Sequence, residues 1–164
     1  MFTDLAWVIP WLLFLHVLGA IVAFGPSFAF PIIGAMGGAE PMHGNFATRV
    51  SHSISARIVY PIGITLPITG ALLILASGRD LSVRENWWLG IAIVLYVIAY
   101  GYSFFYQRKT VENIIELTSA PPPPGATGPP PELPPLVKRV QRGGMVLTVL
   151  LLAIIFLMVV KPQF

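Results

Sequence analysis

The chain has 164 residues, of which 55% are hydrophobic and only 10% charged, with a formal net charge of +3 and a mean hydropathy of +0.78. Soluble domains carry about 25% charged residues, and a fold of this size has too little interior to hide so much apolar side chain. A water-soluble enzyme or nucleic-acid-binding domain is therefore excluded, and an integral membrane protein is implied.

The pI near 9.5 comes from basic residues in short segments beside apolar runs, which points to membrane lipid as the partner and to no nucleic acid. There is no cysteine, so disulfides and thiolate metal sites are out. A span needs about 20 apolar residues to cross ~30 Å of hydrocarbon. Four runs meet that length: Leu5–Phe24, Ile58–Ala76, Trp87–Tyr106 and Met145–Val160. The expected fold is all-α, one domain built as an antiparallel four-transmembrane-helix bundle.

The first run follows "MFTD", which holds Asp4 and no Lys or Arg. The positive n-region of a signal peptide is missing, and the segment is expected to be a retained span. His16 lies 12 residues after Asp4, about 18 Å along a continuous helix, near the middle of the bilayer. An ionisable group at that depth is costly and marks a functional candidate. Gly19, Ala20, Ala23 and Ser27 follow it on one helical face. Small residues let membrane helices approach closely, so the ring is expected to point into the bundle.

Thr65, Thr69, Tyr96, Tyr100 and Thr148 are its mid-depth partners by sequence position. Bonded to one of them, a neutral imidazole would fix helix packing. The sharper alternatives are a haem axial ligand, a proton relay or a quinone hydrogen-bond donor. Gly25-Pro26 and Pro31 fall roughly 14 to 23 Å past the histidine, where they are expected to end or bend the helix at the interface.

The connecting segment Gly34–Arg57 carries His43, expected in solvent, and His52 and Arg57 near the second span. This last pair suits an anionic headgroup or a propionate, with Arg57 also an interfacial anchor. Pro61, Pro67 and Gly70 in the second span read as kinks tolerated where neighbours re-satisfy freed carbonyls. The third helix is expected to continue past the membrane, because Arg108 and Glu112 stand at i,i+4.

Beyond it, "SAPPPPGATGPPPELPP", Ser119 to Pro135, lies in a loop over residues 119–136. Proline lacks the backbone donor and fixes φ, so neither helix nor strand is expected there, only an extended spacer. "VKRVQR" then forms a basic collar, with Lys138, Arg139 and Arg142 as lipid or anion contacts. No Asp or Glu falls within a span, which argues against carboxylate relays and hard-metal cages; no catalytic residue and no metal ligand is predicted.

With four spans, both termini share a face with the Gly78–Asn86 loop. That face carries Arg79, Arg84 and Lys161. The other carries Arg49, Arg57, Arg108, Lys109, Lys138, Arg139 and Arg142. Short positive loops stay in the cytoplasm, so both termini are expected outside and the proline-rich loop inside. Trp7, Trp11, Trp87 and Trp88 then share the outer interface, where indoles prefer to sit.

"LHVLGA", "GPSFAFP", "RIVYPIGITLPITG" and the terminal "LMVVKP" resemble a bacterial family of predicted four-helix integral membrane proteins of unknown function, over most of the chain except the proline-rich loop. The first-span histidine followed by a small residue is more distantly similar to CopD-like copper-resistance proteins and HemJ-type protoporphyrinogen oxidases. The near resemblance implies a bacterial cytoplasmic (inner) membrane. The distant one implies haem, which only His16 would inherit, and the sequence departs from it by offering no intramembrane lysine. The expected function is a small non-enzymatic membrane subunit or scaffold without a cofactor. It would work as a homo-oligomer or within a larger membrane complex, assembling through glycine and alanine faces. The alternative is a b-type haem or quinone-linked redox protein using His16.

Overall fold

The computed structural model describes residues 7–120 and 128–162. Among them every regular element is helical, and four long rods result: Ile9–Ala39, Pro41–Ser77, Arg84–Ser119 and Leu133–Val160. All four are long and apolar enough to cross a membrane. The protein is a multi-pass, all-α membrane protein.

Rod one is α1 (Ile9–Phe24), a 3-10 turn (Gly25–Phe28) and α2 (Phe30–Ala39). Pro26 and Pro31 each lack an N–H and cannot continue an unbroken ladder. The chain tightens between them, with the Ala29 N–H donating to the Pro26 carbonyl at 2.9 Å, and then resumes as helix. The prolines therefore bend the first helix without ending it, and ten more residues follow in α2.

Rod two is α3 (Gly44–Ile54), a π-turn (Ser55–Val59), α4 (Tyr60–Gly63) and α5 (Thr65–Ser77). It stops at Gly78, whose φ of 62° is the left-handed cap that glycine adopts without a Cβ clash. Rod three is α6 (Trp87–Gly101), a second π-turn (Tyr102–Gln107) and α7 (Arg108–Ser119); rod four is α8 (Leu133–Val160).

The rods alternate in direction. α1 packs on α4 and α5, α6 on α8, α2 on α3, and α7 on both α3 and α8. At one end Lys161, which closes rod four, holds its ammonium 5.8 Å from the ring of Trp88, which opens rod three. The interior is thin: Ala23, Leu66, Leu89, Ala92, Leu151 and Ile154 are buried. Large apolar side chains such as Phe14, Ile21, Val97 and Val149 point outward, as they do when the solvent is hydrocarbon.

The connections differ from expectation in two places. Gly34–Arg57 is helical except for a tight reversal around Glu40, which leaves helical geometry at φ −121°, ψ 82°. α2 and α3 therefore form a helical hairpin. Of the proline-rich stretch, residues 121–127 lie outside the described residues. Its end, Leu133 to Pro135, is the first turn of α8. Prolines fit there because a helix's first N–H groups have no intrahelical acceptor to lose.

Candidate functional site

His16 sits on the α1 face that meets α5. Its Nδ1 lies 2.8 Å from Thr69 Oγ1. The Thr69 hydroxyl also stands 3.1 Å from the carbonyls of Thr65 and Leu66. A hydroxyl has one proton to give; spent on a carbonyl, it leaves the oxygen to accept from an Nδ1–H. The ring is seated against Gly70, where an added Cβ would stand 3.4 Å from its Cε1. One turn on, a Cβ at Gly19 would stand 3.2 Å from Leu66 Cδ2, and Ala23 is fully buried. The small-residue face after His16 thus packs within the chain at Gly19, against Leu66 of rod two.

Of the five partners suggested by sequence, Thr69 takes the imidazole and the others bond elsewhere. Thr65 donates to the Ile62 carbonyl and Thr148 to that of Gly144. Tyr96 donates to the Gly63 carbonyl and Tyr100 to that of Tyr60. Pro67 has no N–H to offer the carbonyl four residues back, which is Gly63, so Tyr96 on the neighbouring rod supplies the missing donor. Tyr60 in turn donates to the Ser103 carbonyl at 3.2 Å, inside the second π-turn, where the widened ladder exposes carbonyls. These rings stack along α6. Tyr96 and Tyr100 have centroids 5.9 Å apart, Tyr100 and Phe104 6.2 Å, and Tyr60 meets Phe104 edge-on at 5.3 Å.

The same four-residue stripe runs on into a polar cluster at the loop-side end. The Arg108 guanidinium lies 5.3 Å from the centre of Phe104, and its Nε donates to Glu112 Oε1 at 2.8 Å, the pair expected from their spacing. His52 on α3 brings Nε2 to the same oxygen at 3.3 Å. A carboxylate only accepts, so Nε2 carries the proton here. The hydrogen bond from Arg108 is the main cause holding the Glu112 carboxyl below its ordinary range; partial burial opposes it and the His52 contact adds to it. A shallow cleft beside this cluster is lined by Arg49, His52, Ser53, Glu112, Ile115 and Glu116. Farther along, Asn45 Nδ2 donates to Thr118 Oγ1 at 2.8 Å and Ser119 Oγ at 3.1 Å, tying the hairpin tip to the end of α7.

The remaining predicted contacts are dispersed. Arg57, exposed, lies in the first π-turn. Lys138, Arg139 and Arg142 are exposed on α8, with Arg139 stacked 5.8 Å from the centre of Tyr106. His43 pairs with Glu40 at 2.8 Å in the exposed reversal.

Glu112 as a hub, Asn45 as a tie and Gln107 were not picked out from sequence. Gln107 Nε2 donates to the Val140 carbonyl at 2.8 Å, binding rods three and four. The readable signal was the spacing of residues 96, 100, 104, 108 and 112 on one face.

Gly70 borders the Cε1 edge of the His16 ring. The other imidazoles are engaged at the loop-side end with Glu40 and Glu112. Among the described residues no group of three or more His, Cys, Asp or Glu is arranged to hold a metal.

Comparison with curated proteins and with solved structures finds no match. A family model does match, over residues 10–162, which takes in all four rods. The chain belongs to the DUF2269 family, described as predicted integral membrane proteins.

Proposed function

We propose that the protein is a small non-enzymatic membrane subunit or scaffold, a bundle whose role is to present fixed surfaces to lipid and to other membrane chains. One observation carries it: the polar side chains at membrane depth spend their hydrogen bonds on the bundle itself. His16 holds Thr69, Tyr96 holds Gly63, Tyr100 holds Tyr60 and Thr148 holds Gly144. A transport or redox site would instead aim such groups at a cavity or a ligand. Open glycines on α2, Gly34 and Gly38, with nothing within 4 Å of an added Cβ, suit close approach of a further helix in a homo-oligomer or a larger complex. The surplus of Lys and Arg on the loop side supports both termini outside and the proline-rich loop cytoplasmic, in the bacterial inner membrane that the resemblance implies.

A double-mutant cycle tests the packing role of His16. His16→Leu and Thr69→Val are each expected to lower stability in detergent. Their effects should couple by about 0.6 kcal/mol, the average for interhelical hydrogen bonds, and by no more than ~1.7. Strictly additive losses would remove the packing role. So would a Soret band in wild-type protein, purified with haem supplied during expression, that His16→Ala abolishes.

A further inference from the structure

Rod one is the odd member at the loop-side end. α3, α7 and the start of α8 carry Arg49, Glu112, Glu116 and Lys138, as helices reaching water do. α2 packs on α3 beyond Arg57, so it stands past the tier of charges set by Arg57, Arg108 and Arg142. Yet residues 9–39 include no charged side chain, and α2 turns Ile32 and Met36, each 64% exposed, to the outside. At the reversal Met42 and Phe46 are 86% and 66% exposed.

These side chains extend a stripe that begins in the membrane. Trp11, Leu18, Ile21, Phe28, Ile32 and Met36 are all exposed and share one helical face. From Trp11 to Met36 the stripe runs about 37 Å at 1.5 Å per residue, against ~30 Å of hydrocarbon. A hydrophobic stretch longer than the bilayer is accommodated by tilting or kinking, and rod one has its kink, the Gly25–Phe28 turn, about 21–26 Å along the stripe, so that the excess falls in α2. Close helix contacts in membranes favour small residues, and Ile32 and Met36 stand on the side of α2 opposite Gly34 and Gly38. The segment "FAFPIIGAMGGA", from Phe28 to Ala39, has no polar side chain. Arg49 is exposed on the other arm of the hairpin, and Arg57 in the π-turn that continues it.

We infer that the α2–α3 hairpin tip is a membrane-surface anchor. α2 and the turn through Phe46 lie at the headgroup–acyl boundary of the loop-side leaflet, with Ile32, Met36, Met42 and Phe46 toward the acyl chains. Apolar helical faces enter that layer by about 5–10 Å, and anionic headgroups meet the two arginines.

The natural absence of cysteine makes the test direct. Single cysteines at Ile32, Met36, Met42 and Phe46 are labelled with an environment-sensitive fluorophore in full-length protein, reconstituted into phosphatidylcholine–phosphatidylglycerol vesicles. Ile21→Cys serves as the lipid control and Ser82→Cys as the water control. The expected result at Met36 and Phe46 is a blue-shifted emission, quenched by brominated acyl chains and shielded from aqueous iodide, as at Ile21. Iodide quenching like that at Ser82 would overturn the anchor in favour of an aqueous tip. Shielding from both quenchers would overturn it in favour of a second copy covering the face.

Discussion

Tyr96 brings its hydroxyl to the carbonyl that Pro67 leaves without a donor. In hydrocarbon no water stands ready to do the same, and an unsatisfied backbone group costs several kcal/mol. Tyr96→Phe is therefore expected to destabilise the protein by about 1–3 kcal/mol, the penalty of an orphaned buried acceptor. Pro67→Ala restores a backbone N–H at the position that helical geometry aims at Gly63. In that background the loss from Tyr96→Phe should shrink to a few tenths of a kcal/mol, since only a redundant hydrogen bond is then removed. Denaturation in detergent of the four proteins of this cycle checks it. An equal loss in both backgrounds would mean that the hydroxyl does something other than replace the proline's missing donor.

At this scale the sequence was partly legible. The inward direction of His16 followed from the small residues on its face, and Thr69 was among five partners that its depth allowed. Depth alone does not choose among them, because partner choice depends on the rotation of each rod. That rotation is set by close contacts such as Gly19 on Leu66 and Gly70 on His16.

At the scale of elements, the four spans were legible because hydropathy and length suffice for them. The hairpin α2–α3 was not. Gly34, Gly37, Gly38 and Gly44 read as loop, yet Gly37 lies where an added Cβ would stand only 2.8 Å from the Ala47 Cβ. Gly37 and Gly44 let the two helices touch. The two π-turns likewise have no signature in residue type; Tyr60, just past the first, donates to Ser103 inside the second.

The His52–Glu112–Arg108 cluster joins α3 to α7, beside the tie made by Asn45. Because the Glu112 carboxyl is held below its ordinary value, its contribution is present above the unfolded carboxylate pKa, about 4.3. It is lost as pH falls through the lower folded value. The pair is about 40% exposed on both sides, so the effect is small. It is local and best read by amide exchange. Exchange in α3 is expected to quicken between pH 5 and the acid end in the wild type, after correction for intrinsic rates. Glu112→Gln should show the quickened rate already at pH 7 and little further change. Identical pH profiles in the two proteins would mean that the hairpin is held by Asn45 and apolar packing alone.

Across the whole molecule the two ends hold their cations differently. At the tryptophan end Arg79 and Lys161 each lie 5.8 Å from the ring of Trp88, and Arg84 lies 5.7 Å from Trp87. Trp88 is only 7% exposed, so two rods and a loop are fastened at one indole, at a depth where indoles favour the interface. At the other end the cations line α3, α7 and the start of α8 and outnumber those at the tryptophan end by seven to three. Positive charge resists translocation when it lies in short segments beside a span, so the tryptophan end is expected to be the translocated one.

Ser82→Cys, in the loop between rods two and three, and Gly128→Cys, in the connection between rods three and four, probe the two ends without any native thiol to remove. In intact cells an impermeant maleimide is expected to label Ser82→Cys at once, and Gly128→Cys only after permeabilisation. The reverse pattern would turn the molecule over, making the tryptophan clamp the cytoplasmic end and the hairpin tip an anchor in the outer leaflet.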